Sequence, residues 1–220
     1  MKPTSRLQAC GAPEGGSRGG GYRPVRCSSR PTADVNRLHN WYCNREAWKS
    51  HVREELVPPA IGELDLAGDV LEVGPGFGPA TEVLSSRAAS LTALEIDPRL
   101  AQSLRDRLGD QAEIVDGDGT AMPFADASFD VVACFTMLHH VPSAGAQDRL
   151  FAEVARVLRP GGAFVGTDSI GRGVGFWLLH IGDTKVLIPP AGLPARLATA
   201  GLRDVQVSAQ DEAMRFSARR

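Results

Sequence analysis

The chain has 220 residues, 43% hydrophobic and 23% charged, with a net charge of −2. These values suit one globular domain with a sizeable core and exclude the global basic field that recruits nucleic acid or an anionic membrane. No apolar run is long enough to span a bilayer. Cys10, Cys27, Cys43 and Cys134 show neither CxxC pairing nor His/Cys metal-ligand spacing, so no metal is expected and a reducing, cytoplasmic setting is the simplest expectation.

Residues 1–32 are rich in Gly, Arg, Ser and Pro and lack hydrophobic periodicity. Such a segment buries too little surface to offset its ordering entropy and is expected to be a disordered tail. From Ala33 the pattern changes: Trp41, Trp48, Val52 and Leu56 recur at helical spacing, with Pro58-Pro59 as the expected stop. Residues 33–60 are expected to be an N-terminal helical lid, its stripe either lining a pocket or packing on a sheet.

The next stretch, VLEVGPGFGP (70–79), is an apolar run into a turn with Gly74, Gly76 and Gly78 at every second position. It predicts a buried strand, Val70–Val73, a tight turn and a helix carrying Ala80, Val83, Leu84 and Ala88. Glycine there permits positive φ and lets a ligand lie against the backbone. SLTALEI (90–96) predicts a second buried strand. Asp97-Pro98 opens a helix with Leu100, Leu104 and Leu108 on its buried face and Gly109 at its end. AEIV (112–115) is a third strand and Phe129–Cys134 a fourth. A helix through Leu150, Phe151, Val154, Val157 and Leu158 is expected to stop at Pro160-Gly161-Gly162, and Ala163–Gly166 to be a fifth strand. Gly171–Leu187 has no clean period. A short helix (Leu193, Leu197, Ala198) precedes two strands, Asp204–Ala209 and Met214–Ala218, read as an antiparallel hairpin at the sheet edge. Alternation of strand and helix five times predicts an α/β doubly wound sheet in a single domain, residues 61–220.

An acid at the end of the second strand, Glu95, stands 19 positions after Gly76, as in sites that grip a ribose. The spacing fits a nicotinamide dinucleotide or S-adenosylmethionine (SAM). Three features favour SAM. The glycines run GxGxG, with Pro79 where a third dinucleotide glycine belongs. Glu72 would repel a pyrophosphate but attract an ammonium. Asp118 follows the third strand, where an adenine amino group needs an acceptor.

Together VLEVGPGFG, ALEIDP, GDGTAMPF, SFDVVACFTMLHHV and LRPGG resemble the class I SAM-dependent methyltransferases, most of all the small-molecule branch with the ubiquinone and menaquinone biosynthesis enzymes. The resemblance is strong over 69–168. It implies a Rossmann-like seven-stranded sheet of order 3-2-1-4-5-7-6 with the seventh strand antiparallel, and methyl transfer by in-line displacement. It places Glu72, Gly74, Pro75, Gly76 and Gly78 along the methionine part of the cofactor. Glu95 falls on the ribose, Ile96 on the adenine, Asp118 with Gly119 and Thr120 at the adenine amino group, and Phe135 under the methyl end.

His139 and His140 are candidate general bases, against the alternative that LHHV is only a connection and that no base is used. His180 and Asp183, with Phe176 and Trp177 as apolar walls, are a second candidate set for the acceptor pocket. No Asn/Asp-Pro-Pro-Tyr/Phe segment follows the fourth strand, where CFTMLHH stands. The folded part also carries no basic stripe. The expected partner is therefore a small-molecule methyl acceptor, with no nucleic acid or membrane, for a monomer or homodimer. A non-catalytic SAM-binding module and a nicotinamide-dependent oxidoreductase remain as alternatives.

Overall fold

Five parallel strands form the centre of a computed structural model that describes residues 35–220; the expected disordered tail lies outside the described residues. They are β1 (Asp69–Val73), β2 (Ser90–Glu95), β3 (Glu113–Asp116), β4 (Phe129–Phe135) and β5 (Leu158–Ser169). A hairpin, β6 (Arg203–Gln210) and β7 (Ala213–Arg219), extends one edge, with β7 antiparallel to both β5 and β6. The order is β3-β2-β1-β4-β5-β7-β6, as the family resemblance implies.

Side chains alternate across the sheet, and both faces are covered. On one face Val70, Ala93, Val131, Ala133 and Val165 pack with Ala80 and Leu84 of α4 (Pro79–Ser85) and with Ala101, Leu104 and Leu108 of α5 (Pro98–Leu108). On the other, Leu71, Leu94, Val132, Cys134 and Phe164 pack with Leu150, Phe151 and Val154 of α6 (Ala144–Val157). Helix starts are locally encoded. Asp97 accepts from Arg99 N at 2.8 Å ahead of Pro98, and Ser143 accepts from Ala146 N at 3.1 Å. Leu100, expected on the buried face of α5, is half-buried and its place is taken by Ala101.

Two stop signals act differently from expectation. Pro58-Pro59 does not end its helix. After α1 (Arg37–Cys43) and α2 (Glu46–His51), a π-helical turn over Val52–Leu56 closes with Val57 N donating to Val52 O. The wider turn lets the two prolines enter as the first residues of α3 (Val57–Ile61), where their missing N–H groups cost nothing. The helix ends at Gly62, φ +48°. The aromatic stripe is broken for a related reason. Arg45 is extended between α1 and α2 and resets the helical phase, so Trp41 is 56% exposed beneath the Arg45 guanidinium while Val52 is buried.

Pro160-Gly161-Gly162 is not a turn between elements. α6 ends at Val157, and β5 begins directly at Leu158, paired with Phe129 across a register shift in β4. Gly161 N donates to Arg220 O and Arg220 N to Gly162 O, so the segment is the bulged start of a long strand. Within Gly171–Leu187, α7 (Val174–Leu179) forms, and α8 (Leu193–Thr199) precedes the hairpin.

Candidate active site

A cavity of about 850 Å³ opens at the carboxyl ends of β1, β2 and β4, where the strand order reverses beside β1. Ligands of open α/β sheets bind at such a switch point. Its floor is the glycine turn. Gly74 (φ +71°) donates its N–H to Leu94 O at 2.9 Å, tying the turn to β2. Gly76 (φ +57°) is the most open point, since a Cβ added there meets nothing within 4 Å. Gly78 (φ +84°) differs: its Cβ would sit 2.6 Å from Leu104 Cδ2, so this glycine lets α4 pack against α5 and does not line the cavity.

Glu95 anchors the turn. It is buried yet reaches the cavity, and its Oε2 accepts from Gly76 N at 3.0 Å while Oε1 accepts from Asp97 N at 2.9 Å. Burial raises its pKa, and the two backbone donors hold the rise down. Asp97, two residues on, caps α5 and is held low despite partial burial by the Arg99 backbone and side chain. Ile96 and Asp118 face the cavity from either side, with Gly119 and Thr120 next to Asp118. Asp118 Oδ1 accepts from Thr120 N at 2.7 Å. A carboxylate retains acceptor capacity beyond such a bond. Pro75 and Phe135 complete this part of the wall.

Glu72 lies under the turn, 1% exposed, and is not part of the cavity wall. Burial drives its pKa up to about 7. The nearby Thr81 hydroxyl tempers the rise, although neither it nor Glu72 Oε2 has a well-aligned hydrogen-bond partner, and the Glu95 charge adds to it.

The far end of the cavity is built of histidines. Leu138–His140 form a single 3₁₀ turn after β4. His139 is buried, and its Nδ1 donates to Asp168 Oδ1 on β5 at 2.6 Å. Its Nε2 faces Nε2 of His180 at 3.2 Å. His140 Nδ1 is 3.3 Å from Thr184 O, and burial together with the neighbouring histidines lowers its pKa to about 2. Burial likewise lowers His180 to about 4. Asp183 does not lie on the cavity wall; it binds His39 Nδ1 at 2.7 Å and Asn36 N at 2.5 Å. Phe176 reaches the cavity, whereas Trp177 is 49% exposed and donates to Gly171 O.

Sequence reasoning placed Trp48 and Tyr42 in a segment that could line a pocket, and both line the cavity, from α2 and α1. It missed three contributors. His39 lines the cavity from α1. Asp168 orients His139. Thr136, at φ +51°, holds a left-handed conformation that a β-branched residue rarely adopts, at the cavity edge just past β4. Only the last lies beside a motif, in CFTMLHH; the others need the fold to bring them near.

Residues 71–166 match the methyltransferase domain family. The chain is 30% identical over 188 residues to 27-O-demethylrifamycin SV methyltransferase of Amycolatopsis mediterranei, covering 80% of this chain and 62% of that protein. It is 34% identical over 101 residues to demethylmenaquinone methyltransferase of Tropheryma whipplei, covering 44% and 40%. It therefore spans less than two thirds of the length of either. A SAM-dependent methyltransferase from Aquifex aeolicus shares the fold at a TM-score of 0.62 and 16% identity, covering 77% of this chain and 92% of that one.

Proposed function

We propose that the protein is a SAM-dependent methyltransferase acting on a small molecule. The observation that carries this reading is the pairing of Glu95 with the open glycine turn. A buried carboxylate at the cavity edge takes backbone N–H groups at 3.0 and 2.9 Å, beside a glycine whose Cβ position is empty space. These residues fit the cofactor. Glu95 would accept from ribose hydroxyls, Asp118 from an adenine amino group, and Ile96 would pack on the ring. The turn at Gly74–Gly76 would take the amino-acid part. Glu72 would act from below, through the field of a buried carboxylate on an ammonium. When bound, SAM supplies a methyl group on a sulfonium, already a strong electrophile.

The chain's own contribution is placement and a base. A cavity this size holds a cofactor and a modest acceptor together. Holding reactants in line accounts for roughly 7–11 kcal/mol of barrier. His139, fixed through Nδ1 by Asp168, presents Nε2 at the acceptor end and would take the proton of a hydroxyl, phenol or acidic carbon. His140, with its pKa near 2, is a poor base. The helical segment around α1 and α2 acts as a lid, its Tyr42 and Trp48 shielding the cavity from water. Kinship with enzymes named for rifamycin and menaquinone precursors supports a small, partly apolar acceptor. Among the described residues no helix is long and apolar enough to cross a membrane. Cys43 and Cys134 are free thiols, consistent with a cytoplasmic setting.

Calorimetry with SAM, S-adenosylhomocysteine and NAD tests the cofactor. Both sulfur compounds should bind one per chain and NAD should not; the reverse pattern refutes the reading. Transfer of labelled methyl from SAM into a small-molecule extract, with mass identification, then separates an enzyme from a binding module.

A further inference from the structure

Four of the chain's five histidines converge at one end of the cavity. One ring nitrogen from each of His39, His140 and His180 lies within 4.8 Å of the other two. The three come from α1, the 3₁₀ turn after β4, and the end of α7. In each ring Nδ1 is engaged by an acceptor: His39 by Asp183 Oδ2 at 2.7 Å, His180 by Phe176 O at 2.7 Å, His140 by Thr184 O at 3.3 Å. A carbonyl or carboxylate oxygen can only accept, so Nδ1 carries the hydrogen and Nε2 keeps a lone pair. Metal-bound imidazoles are held this way, one nitrogen on the ion and the other donating to an oxygen.

A second observation points in the same direction. His139 Nδ1 donates to Asp168, so its Nε2 is also a lone pair, and it faces His180 Nε2 at 3.2 Å. Two lone pairs at that distance repel unless a cation or a proton lies against them.

We propose that His39, His140 and His180 form a three-imidazole site for a late first-row divalent ion, zinc or a close neighbour, with one position open to the cavity. Neutral nitrogen donors select zinc, cobalt, nickel or copper over magnesium or calcium. Three protein ligands with an open fourth position are the pattern of a catalytic ion. Binding draws the three ring nitrogens, now within 4.8 Å of one another, toward the roughly 3.3 Å between two nitrogens on one tetrahedral ion with bonds of about 2.0–2.1 Å. Asp183 and Asp168 place negative charge behind two of the four rings. One consequence rests on the methyl-transfer reading: an acceptor hydroxyl at the open position ionises more readily and passes its proton to His139.

The test uses the untagged full-length chain, stripped with a chelator and dialysed against zinc, then cobalt. Elemental analysis should give one ion per chain, and cobalt should give the intense visible bands of a four-coordinate site. His39→Ala, His140→Ala and His180→Ala should weaken binding by roughly 100-fold or more, and Asp183→Asn by about 10–100-fold. His51→Ala, the fifth histidine, on α2 and paired with Glu55, should change nothing. Failure of the wild-type chain to retain any of these ions, or ligand variants that bind as tightly as wild type, overturns the site. If an alanine variant fails to fold by circular dichroism, the wild-type cobalt spectrum and Asp183→Asn still decide. None of these readouts needs a methyl donor, so a negative result here leaves the methyl-transfer reading standing, and the reverse also holds.

Discussion

Replacing Glu72 by Gln should stabilise the protein at alkaline pH and do little at acid pH. Glu72 is buried, with Oε2 lacking a hydrogen-bond partner, and burial lifts its pKa from 4.5 to about 7. A carboxyl whose folded pKa is raised binds its proton more tightly in the native state. Its stabilising effect is complete below pH 4.5 and is lost as pH rises through 7. At 1.36 kcal/mol per pKa unit, a rise of about 2.5 units costs the native state roughly 3 kcal/mol once the group is ionised. Gln keeps the shape and cannot ionise. Part of the loss is already present at pH 5, so the variant-minus-wild-type difference in unfolding free energy should grow by roughly 2–3 kcal/mol from pH 5 to pH 8.5. The carboxylate of Glu95 also titrates upward, but it is present in both proteins and largely cancels. Urea unfolding at the two pH values, followed by circular dichroism, measures the difference. A variant whose stability tracks wild type at a constant offset refutes the buried, raised carboxyl.

Three further predictions concern ligand and turnover. Glu95→Ala should weaken SAM binding by about 1.5–3 kcal/mol for each charge-assisted bond lost, read by calorimetry; unchanged affinity removes Glu95 from the ribose. Gly76→Val should lose SAM binding, because its side chain enters open cavity space, and should lower the melting temperature through strain at its φ of +57°, whereas Gly78→Ala should lower the melting temperature both through its φ of +84° and because its Cβ meets Leu104; normal turnover by the first variant makes the turn merely structural. Asp168→Asn should lower kcat by about 10²–10⁴-fold with SAM affinity nearly unchanged, since Asn can no longer fix the His139 tautomer; full turnover would mean His139 is not the base.

The sheet was legible because buried parallel strands announce themselves as apolar runs between turn residues, and the Asp97-Pro98 cap is a local event. Pro58-Pro59 and Pro160-Gly161-Gly162 misled because proline's effect depends on what lies before it, a π turn in one case and a bulged strand in the other. The strand order came from resemblance to a family, not from periodicity. The glycine turn, Glu95 and Asp118 were visible as spaced motifs. At the other end His139, His140 and His180 stood out singly, but their convergence with His39 did not. His39 and His180 stand 141 residues apart, and no local spacing links them to each other or to Asp168. Gly78 shows the limit within a motif, where one glycine in three serves helix packing and looks no different in sequence.

The bonds made by Asn36 and Asp183 tie two distant parts of the chain into one clasp. Asp183 grips the backbone of Asn36 and the ring of His39, while the Asn36 side chain donates to Leu179 O and Ile181 O at 2.7 and 3.0 Å. The segment before α1 and the segment after α7 therefore move as a unit. Swinging either one aside breaks all four bonds together, two of them to a carboxylate shielded from water. Separation of these two segments is thus a cooperative event, either closed or fully released, and not a graded loosening of one bond at a time.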